Sequence, residues 1–188
     1  MSPILGIWAS AQTAAASGDF ESIATISGTG SSGTLAFTSI PQTYKHLQLR
    51  FSTRSTSTNT SEGMFFYINN TYASPFTQYS YHSLAGNGSS VIVGAAASAA
   101  RIQSDQTANA SMASNVYDAH IIDILDYTST NKNPVIRWMY GWDNNGSGSI
   151  TLESGAFNIA GAVTQFNVST YFGNFTTDSK FSLYGIKG

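Results

Sequence analysis

The chain has 188 residues, of which 41% are hydrophobic, so it is long and apolar enough to form one domain with a sizeable core. Only 10% are charged, and a net charge of -2 gives no basic field that could hold a nucleic acid, which excludes nucleic acid as a partner. The lack of cysteine excludes disulfides and thiolate chemistry. No apolar run reaches the roughly 20 residues of a membrane helix, so membrane insertion is not expected. Short uncharged polar residues supply the solubility and favour turns and strands, which predicts an all-β protein.

The N-terminal segment shows no period that would bury one face of a helix or strand. Its large apolar residues cluster near the start, at Ile4, Leu5, Ile7 and Trp8. We expect these four side chains to be held in a groove, on the protein's own sandwich or on another subunit. The alternative is a first strand folded back on its own domain. This interpretation divides the chain into an apolar anchoring arm, residues 1–19, and a β-sandwich domain, residues 20–188.

Short segments of alternating apolar and polar residues fill the first half of the domain, as expected of half-buried β-strands. In the clearest of them Leu47, Leu49 and Phe51 face one way and polar residues the other. The next strand is apolar on both faces, so we expect one face to meet the core and the other to meet a further contact. The predicted strands of this half cover residues 20–27, 34–37, 46–52 and 64–68 and resume at residue 79, with turns at residues 28–33 and 86–88.

The second half continues the pattern. Small residues fill positions 91–100, which favours a strand with close neighbours or a loop laid against a partner, with a short helix over residues 95–101 as a further alternative. Residues 115–125 and 135–140 predict a hairpin, and a turn at residues 143–148 follows it. Further strands are predicted at residues 150–152, 163–171 and 180–186. About nine to eleven strands describe a single antiparallel β-sandwich with a jelly-roll-like architecture.

Five segments together resemble a family of small structural proteins of tailed bacteriophages. They are SPILGIWAS at residues 2–10, FESIAT at 20–25, IPQTYKHLQLR at 40–50, YHSLAGNG at 81–88 and FSLYGIK at 181–187. The resemblance spans both ends of the chain.

The resemblance implies a non-enzymatic virion protein on the particle exterior, either a capsid decoration (cement) subunit or a tail-fibre-like component. Its partners would be other virion proteins and further copies of itself, it would need no cofactor, and it would be made in the cytoplasm of the host bacterium. No functional residue of the family carries over position by position.

The histidine and aspartate residues are possible reactive groups. His46, His82 and His120 lie on separate predicted strands without the short spacing of metal ligands, so we expect ordinary strand or surface histidines. Asp118 and Asp123 are five residues apart, which puts them on opposite faces of a regular strand. The paired carboxylates of a glycosidase are therefore not predicted, and we expect solvent-facing or turn-capping aspartates, including those at positions 126 and 143.

Aromatic residues beside polar ones offer a candidate binding patch. Trp138, Tyr140, Trp142 and Asp143 form the best candidate for contact with a glycan or a protein partner, because an aromatic ring can stack on the apolar face of a sugar. Most aromatic rings of the chain are nevertheless expected in the core or in subunit contacts. A carbohydrate-binding adhesin module that recognises host surface glycans is therefore the alternative function.

Overall fold

The computed structural model describes residues 18–72, 78–99, 101–104, 106–158 and 161–188. This part of the chain contains twelve strands and no helix, so the predicted all-β fold is confirmed. The strands are β1 (Phe20–Ser27), β2 (Thr34–Phe37), β3 (His46–Thr53), β4 (Met64–Ile68), β5 (Tyr79–Gly86), β6 (Val91–Ala99), β7 (Ile102–Gln103), β8 (Asp118–Leu125), β9 (Val135–Asn144), β10 (Ser147–Phe157), β11 (Phe166–Thr170) and β12 (Lys180–Ile186). Residues 95–99, which belong to the segment with a short helix as the alternative, are part of strand β6. The count exceeds the expected nine to eleven; β7, with two residues, is too short to show an alternating pattern.

The strands form two antiparallel sheets that pack as a sandwich. The larger sheet has eight strands in the order β1-β12-β3-β8-β9-β10-β5-β6, and the smaller has four in the order β2-β11-β4-β7. Every ladder between these strands is antiparallel.

Eight of the twelve strands are connected as in a jelly roll. These eight strands are β1, β2, β3, β4, β7, β8, β11 and β12. Renumbered one to eight in chain order, they form one sheet in the order 1-8-3-6 and one in the order 2-7-4-5. This is the strand order of a jelly roll, in which each Greek key crosses between the sheets. The other four strands are two hairpins, β5–β6 and β9–β10, inserted between consecutive jelly-roll strands. Both hairpins join the larger sheet beyond β8 and double its width from four strands to eight.

The core lies between the two sheets and follows the alternation of the sequence. Leu47, Leu49 and Phe51 of β3 face inward with at most 6% of their surface exposed. From the smaller sheet, Met64 and Phe66 of β4 meet them and are fully buried. The prediction that these strands bury one face is confirmed, because a period of two residues places every second side chain on the same side.

Trp138 joins the inserted hairpins to this core. It lies on β9, the first strand beyond the jelly roll, and is fully buried. Its ring meets Phe66 of the smaller sheet edge to face, with the ring centroids 4.5 Å apart and the planes at 83°. Its indole N–H donates a hydrogen bond of 3.1 Å to His120 Nδ1 on β8. The tryptophan therefore packs on both sheets at once.

Strand β8 begins at Asp118, three residues later than the sequence predicts. The preceding loop is held by the buried guanidinium of Arg54, which donates hydrogen bonds of 2.7 to 3.0 Å to the carbonyl oxygens of Met112, Ala113 and Val116. Backbone carbonyls that accept from arginine are not free for a strand ladder. The predicted start was wrong because residues in this loop still alternate in polarity.

We predict that Trp138→Ala lowers the free energy of unfolding by about 3 to 5 kcal/mol, because it empties a large buried volume at the joint between jelly roll and hairpins. Trp142→Ala, four residues further along the same face, should cost less than half as much, since Trp142 is only partly buried. Equilibrium unfolding in urea measures both. Equal losses for the two variants would contradict the proposed role of Trp138.

Candidate functional site

The outer face of the added hairpins carries an exposed apolar surface. The strand register places Val93 beside Leu84, Leu84 beside Leu152, and Leu152 beside Met139, so that one apolar row crosses four strands. These four side chains are 76%, 52%, 56% and 45% exposed. With two more exposed neighbours the row forms the apolar face, defined as Leu84, Val91, Val93, Met139, Ile150 and Leu152. A contiguous surface of this kind is typical of an interaction site.

The same outer face is polar on the jelly-roll half of the sheet. Arg50 Nε donates a 2.6 Å hydrogen bond to Gln48 Oε1, and Gln48 Nε2 donates one of 2.6 Å to Asp123 Oδ1. The row through Gln48 and Asp123 continues onto β9 with the exposed Arg137, whereas Arg50 is paired with Ile121, and that row continues with Met139 and Leu152. The polar surface therefore extends onto β9 at Arg137, and the apolar face lies beside it.

An open cleft of about 490 Å³ lies on the inner face of the hairpins, where the smaller sheet no longer covers the larger one. Tyr140 and Trp142 supply its aromatic surface and Asn87, Gln106 and Thr151 are among its polar groups. No charged side chain lines it among the described residues. Its chemistry therefore suits an uncharged polar ligand with an apolar face, and a neutral sugar has this character.

The structure separates the four residues that the sequence grouped as a binding patch. Trp138 and Tyr140 are 0% and 5% exposed, so Trp138 cannot contact a ligand and Tyr140 offers only its edge to the cleft. Trp142 lines the cleft, and its buried indole N–H has no hydrogen-bond partner in the described part of the chain. Asp143 is exposed beside it and accepts a 2.9 Å hydrogen bond from the Gly146 N–H in the hairpin turn. The prediction of one four-residue patch was therefore wrong. Trp138, Tyr140 and Trp142 all lie on the inner face of β9, and the smaller sheet covers this face at Trp138 but leaves it open at Trp142.

Asp118 is buried, which corrects the expectation of a solvent-facing or turn-capping side chain; His120 beside it is buried too and lies on a strand, as one of the two expectations for it had it. Asp118 Oδ1 accepts from the Thr53 N–H at 3.1 Å, and Oδ2 accepts from the Ala108 N–H at 3.0 Å. His120 Nδ1 accepts from Trp138, so the imidazole proton is on Nε2, which lies 3.0 Å from Asp118 Oδ1. The pair is at most 2% exposed and ties β8 to its neighbours in the interior.

The remaining candidate acids and bases lie apart from one another. Asp123 is on the outer face of β8, opposite to Asp118, and Asp126 is in a turn with a left-handed φ of 49°, as the sequence predicts for both. Lys132 donates to Asp126 at 3.2 Å and lowers the pKa of its carboxyl group. His46 Nδ1 accepts from the Asp126 N–H at 3.0 Å. No group of three or more His, Asp or Glu side chains that could hold a metal ion occurs among the described residues.

A cluster of aromatic rings around Arg101 covers the outer face of the smaller sheet. The guanidinium carbon of Arg101 lies 4.7 Å from the Phe65 ring centroid and 4.8 Å from that of Tyr171, and Nη1 donates to Tyr72 Oη at 2.9 Å. The second apolar face of β4 therefore meets side chains of the same chain. The sequence predicts a further contact for this face but not the residues that make it, because the members of the cluster come from four separate segments.

Comparison with known proteins gives no relatives: no protein-family model, no curated protein and no solved structure matches the chain. The resemblance to tailed-phage virion proteins therefore stays a prediction. The predicted anchoring residues Ile4, Leu5, Ile7 and Trp8 lie outside the described residues. In the described residues there is no helix of the length and apolarity needed to cross a membrane.

We predict that Asp118→Asn lowers the free energy of unfolding by about 2 to 4 kcal/mol, because the amide cannot accept from both backbone N–H groups and loses its charge beside His120. Asp123→Asn is the matched control on the opposite face of β8, and we expect a change below about 1 kcal/mol there. Urea unfolding of both variants measures this difference. A mild loss for Asp118→Asn would show that the buried carboxylate is not needed for the fold.

Proposed function

We propose that this protein is a non-enzymatic structural component of a tailed-bacteriophage virion, positioned on the particle exterior as a capsid decoration subunit or a tail-fibre-like component. The jelly-roll strand order is the observation that carries the proposal. Jelly rolls are a common architecture of viral shell proteins, because two stacked sheets give a rigid block with flat faces for assembly.

The distribution of polar and apolar groups supports an assembly role. Some charged residues, such as Arg54 and Asp118, are buried and stabilise loops and strand ends in the interior. The outer surface of the added hairpins carries the apolar face. A protein that offers a broad apolar surface on a rigid sheet is suited to bind other subunits.

Mass spectrometry of purified particles tests this proposal directly. The protein should copurify with virions, and antibody-labelled particles should carry the label on the outside in electron micrographs. Copy number then distinguishes the two positions, since a decoration subunit accompanies the shell lattice in far higher numbers than a tail component. Absence of the protein from purified particles would refute the proposal.

We predict that deletion of residues 2–10 leaves a folded, soluble protein that no longer joins particles. The deleted residues include Ile4, Leu5, Ile7 and Trp8, whose burial against a partner would contribute several kcal/mol at about 1.5 to 3 kcal/mol for each large apolar side chain. Circular dichroism checks the fold and copurification with virions checks incorporation. Normal incorporation of the truncated protein would rule out the anchoring role.

Binding of an uncharged glycan is the second candidate function, and the cleft beside Trp142 is the observation that favours it. The described residues that line the cleft are uncharged and partly aromatic, and the cleft is open to solvent. A sugar ring could stack on the indole while neighbouring amide and hydroxyl groups hydrogen-bond its hydroxyls. This function is compatible with a position on the outside of a virion.

We predict that, if the cleft binds glycans, Trp142→Ala weakens binding at least about tenfold, because it removes the stacking surface. Phe172→Ala is the control, since Phe172 is 69% exposed but lies at a different cleft. Binding of both folded variants to a panel of neutral oligosaccharides, measured by calorimetry, makes the comparison. Equal binding by the two variants would exclude the cleft as the glycan site.

A further inference from the structure

Strand β6 is an unprotected sheet edge. It has nine residues and pairs along one side with β5; in the described part of the chain no strand pairs with its other side. The backbone N–H and C=O groups of that side are therefore free to bind another strand. Val91, Ile92 and Val93 are 73%, 53% and 76% exposed, so the strand is open on both faces as well as along its edge.

The other sheet edges are protected in ways that β6 is not. Strands β2 and β7, at the edges of the smaller sheet, have four and two residues and offer little to pair with. Strand β1, at the far edge of the larger sheet, carries the charged Glu21 and an irregularity in its ladder between Ser22 and Ala24. Strand β6 is longer than these two short edges, and it contains no charged residue and no proline.

The absence of charge extends over the whole hairpin that carries this edge. No Asp, Glu, Lys or Arg stands between Glu62 and Arg101 in the sequence. Natural proteins place charges, above all lysine, on exposed edges to prevent pairing between molecules. An edge without such charges favours an uncharged extended partner, and β6 of a second copy is one.

We propose that β6 pairs antiparallel with β6 of a second copy of this chain, around a two-fold axis perpendicular to the sheet. Two eight-stranded sheets then join into one continuous sheet of sixteen strands, and the apolar faces of the two copies become contiguous. The edge is self-complementary, because two antiparallel copies of one strand present donors opposite acceptors. This inference does not rest on the proposed virion role, since purified protein alone tests it.

The size of the contact predicts its strength. Nine residues at about 3.3 Å each give an edge roughly 30 Å long. Burying it together with its exposed side chains removes on the order of 1,000 Å² for the pair, at the lower limit of specific interfaces. We therefore expect a dimer with a dissociation constant in the micromolar range.

Substitutions on opposite faces of β6 separate edge pairing from stacking of the apolar faces. Ile92→Lys places a charge on the inner face of the edge strand and Val93→Lys places one on the outer face. Both should raise the dimer dissociation constant at least about tenfold, because like charges meet across the new ladder and lose water. Leu152→Lys is the control: it alters the same apolar face on β10, two strands from the edge, and should leave the dimer intact.

Sedimentation velocity from about 1 to 100 µM, the range in which a contact of this size associates, measures the wild type, the three lysine variants and the variant lacking residues 2–10. Circular dichroism confirms that each variant is folded. A monomeric wild type would overturn the proposal, as would a dimer that survives both edge substitutions. Loss of the dimer in Leu152→Lys would assign the contact to face stacking, and loss only on deletion of residues 2–10 would assign it to the N-terminal segment.

Cross-linking provides a readout that does not depend on the stability of a lysine variant. The chain has no cysteine, so single cysteines at each of residues 91–97 report alone. In a two-fold antiparallel pair the axis passes between one residue and the same residue of the partner, and that position should cross-link to itself most strongly with a short thiol reagent. Uniformly weak cross-linking at all seven positions would contradict pairing through β6.

Discussion

The edge-to-face packing of Trp138 on Phe66 is the contact on which the width of the larger sheet depends. A β-hairpin alone is marginally stable in water, so the two inserted hairpins need a fixed strand to build on. Trp138 fixes the β9–β10 hairpin, because its ring is buried against the smaller sheet while its backbone pairs with β8 and β10. From there the sheet grows by backbone pairing, and inward burial declines from β10 to β5 and β6 as the smaller sheet is left behind.

Some of the few charged residues of the chain are buried inside the jelly roll. Arg54 ties a loop through three backbone carbonyls, and Glu62 Oε1 accepts from the N–H groups of Tyr171 and Phe172 at 2.9 and 3.1 Å. These buried groups set loop positions, because each would be costly to leave without a partner. The β5–β6 hairpin has no charge at all, so the part of the protein most open to solvent is also the part least protected from other molecules. The distribution of charge therefore supports the proposed assembly through this side, as the exposed strand edge does.

The sequence predicts local features well and non-local ones poorly. The inward faces of Leu47, Leu49 and Phe51 follow from a period of two, which adjacent residues set among themselves. Asp118 was assigned to solvent because a buried carboxylate and an exposed one have the same sequence signature until the N–H groups that satisfy it are known. Likewise Trp138 and Trp142 share one strand and one face, yet their exposure depends on how far the smaller sheet extends, and that sheet is assembled from strands distant in sequence. The residues of the apolar face could be recognised as neighbours only once the strand register was known.

Each inserted hairpin adds two strands, so the larger sheet has an even number of strands. Because neighbouring strands are antiparallel, its first and last strands run in opposite directions. A second molecule related by a translation across the sheet would therefore place its β1 beside β6 in the orientation of an antiparallel ladder. Strand direction alone would thus allow repeated addition of molecules into a filament. The chemistry of β1 opposes such growth, because Glu21 is held by Lys187 and Tyr44 and the ladder is already irregular. If β6 pairs as proposed, one edge accepts a neighbour and the other does not, and growth would end at a closed pair instead of a filament.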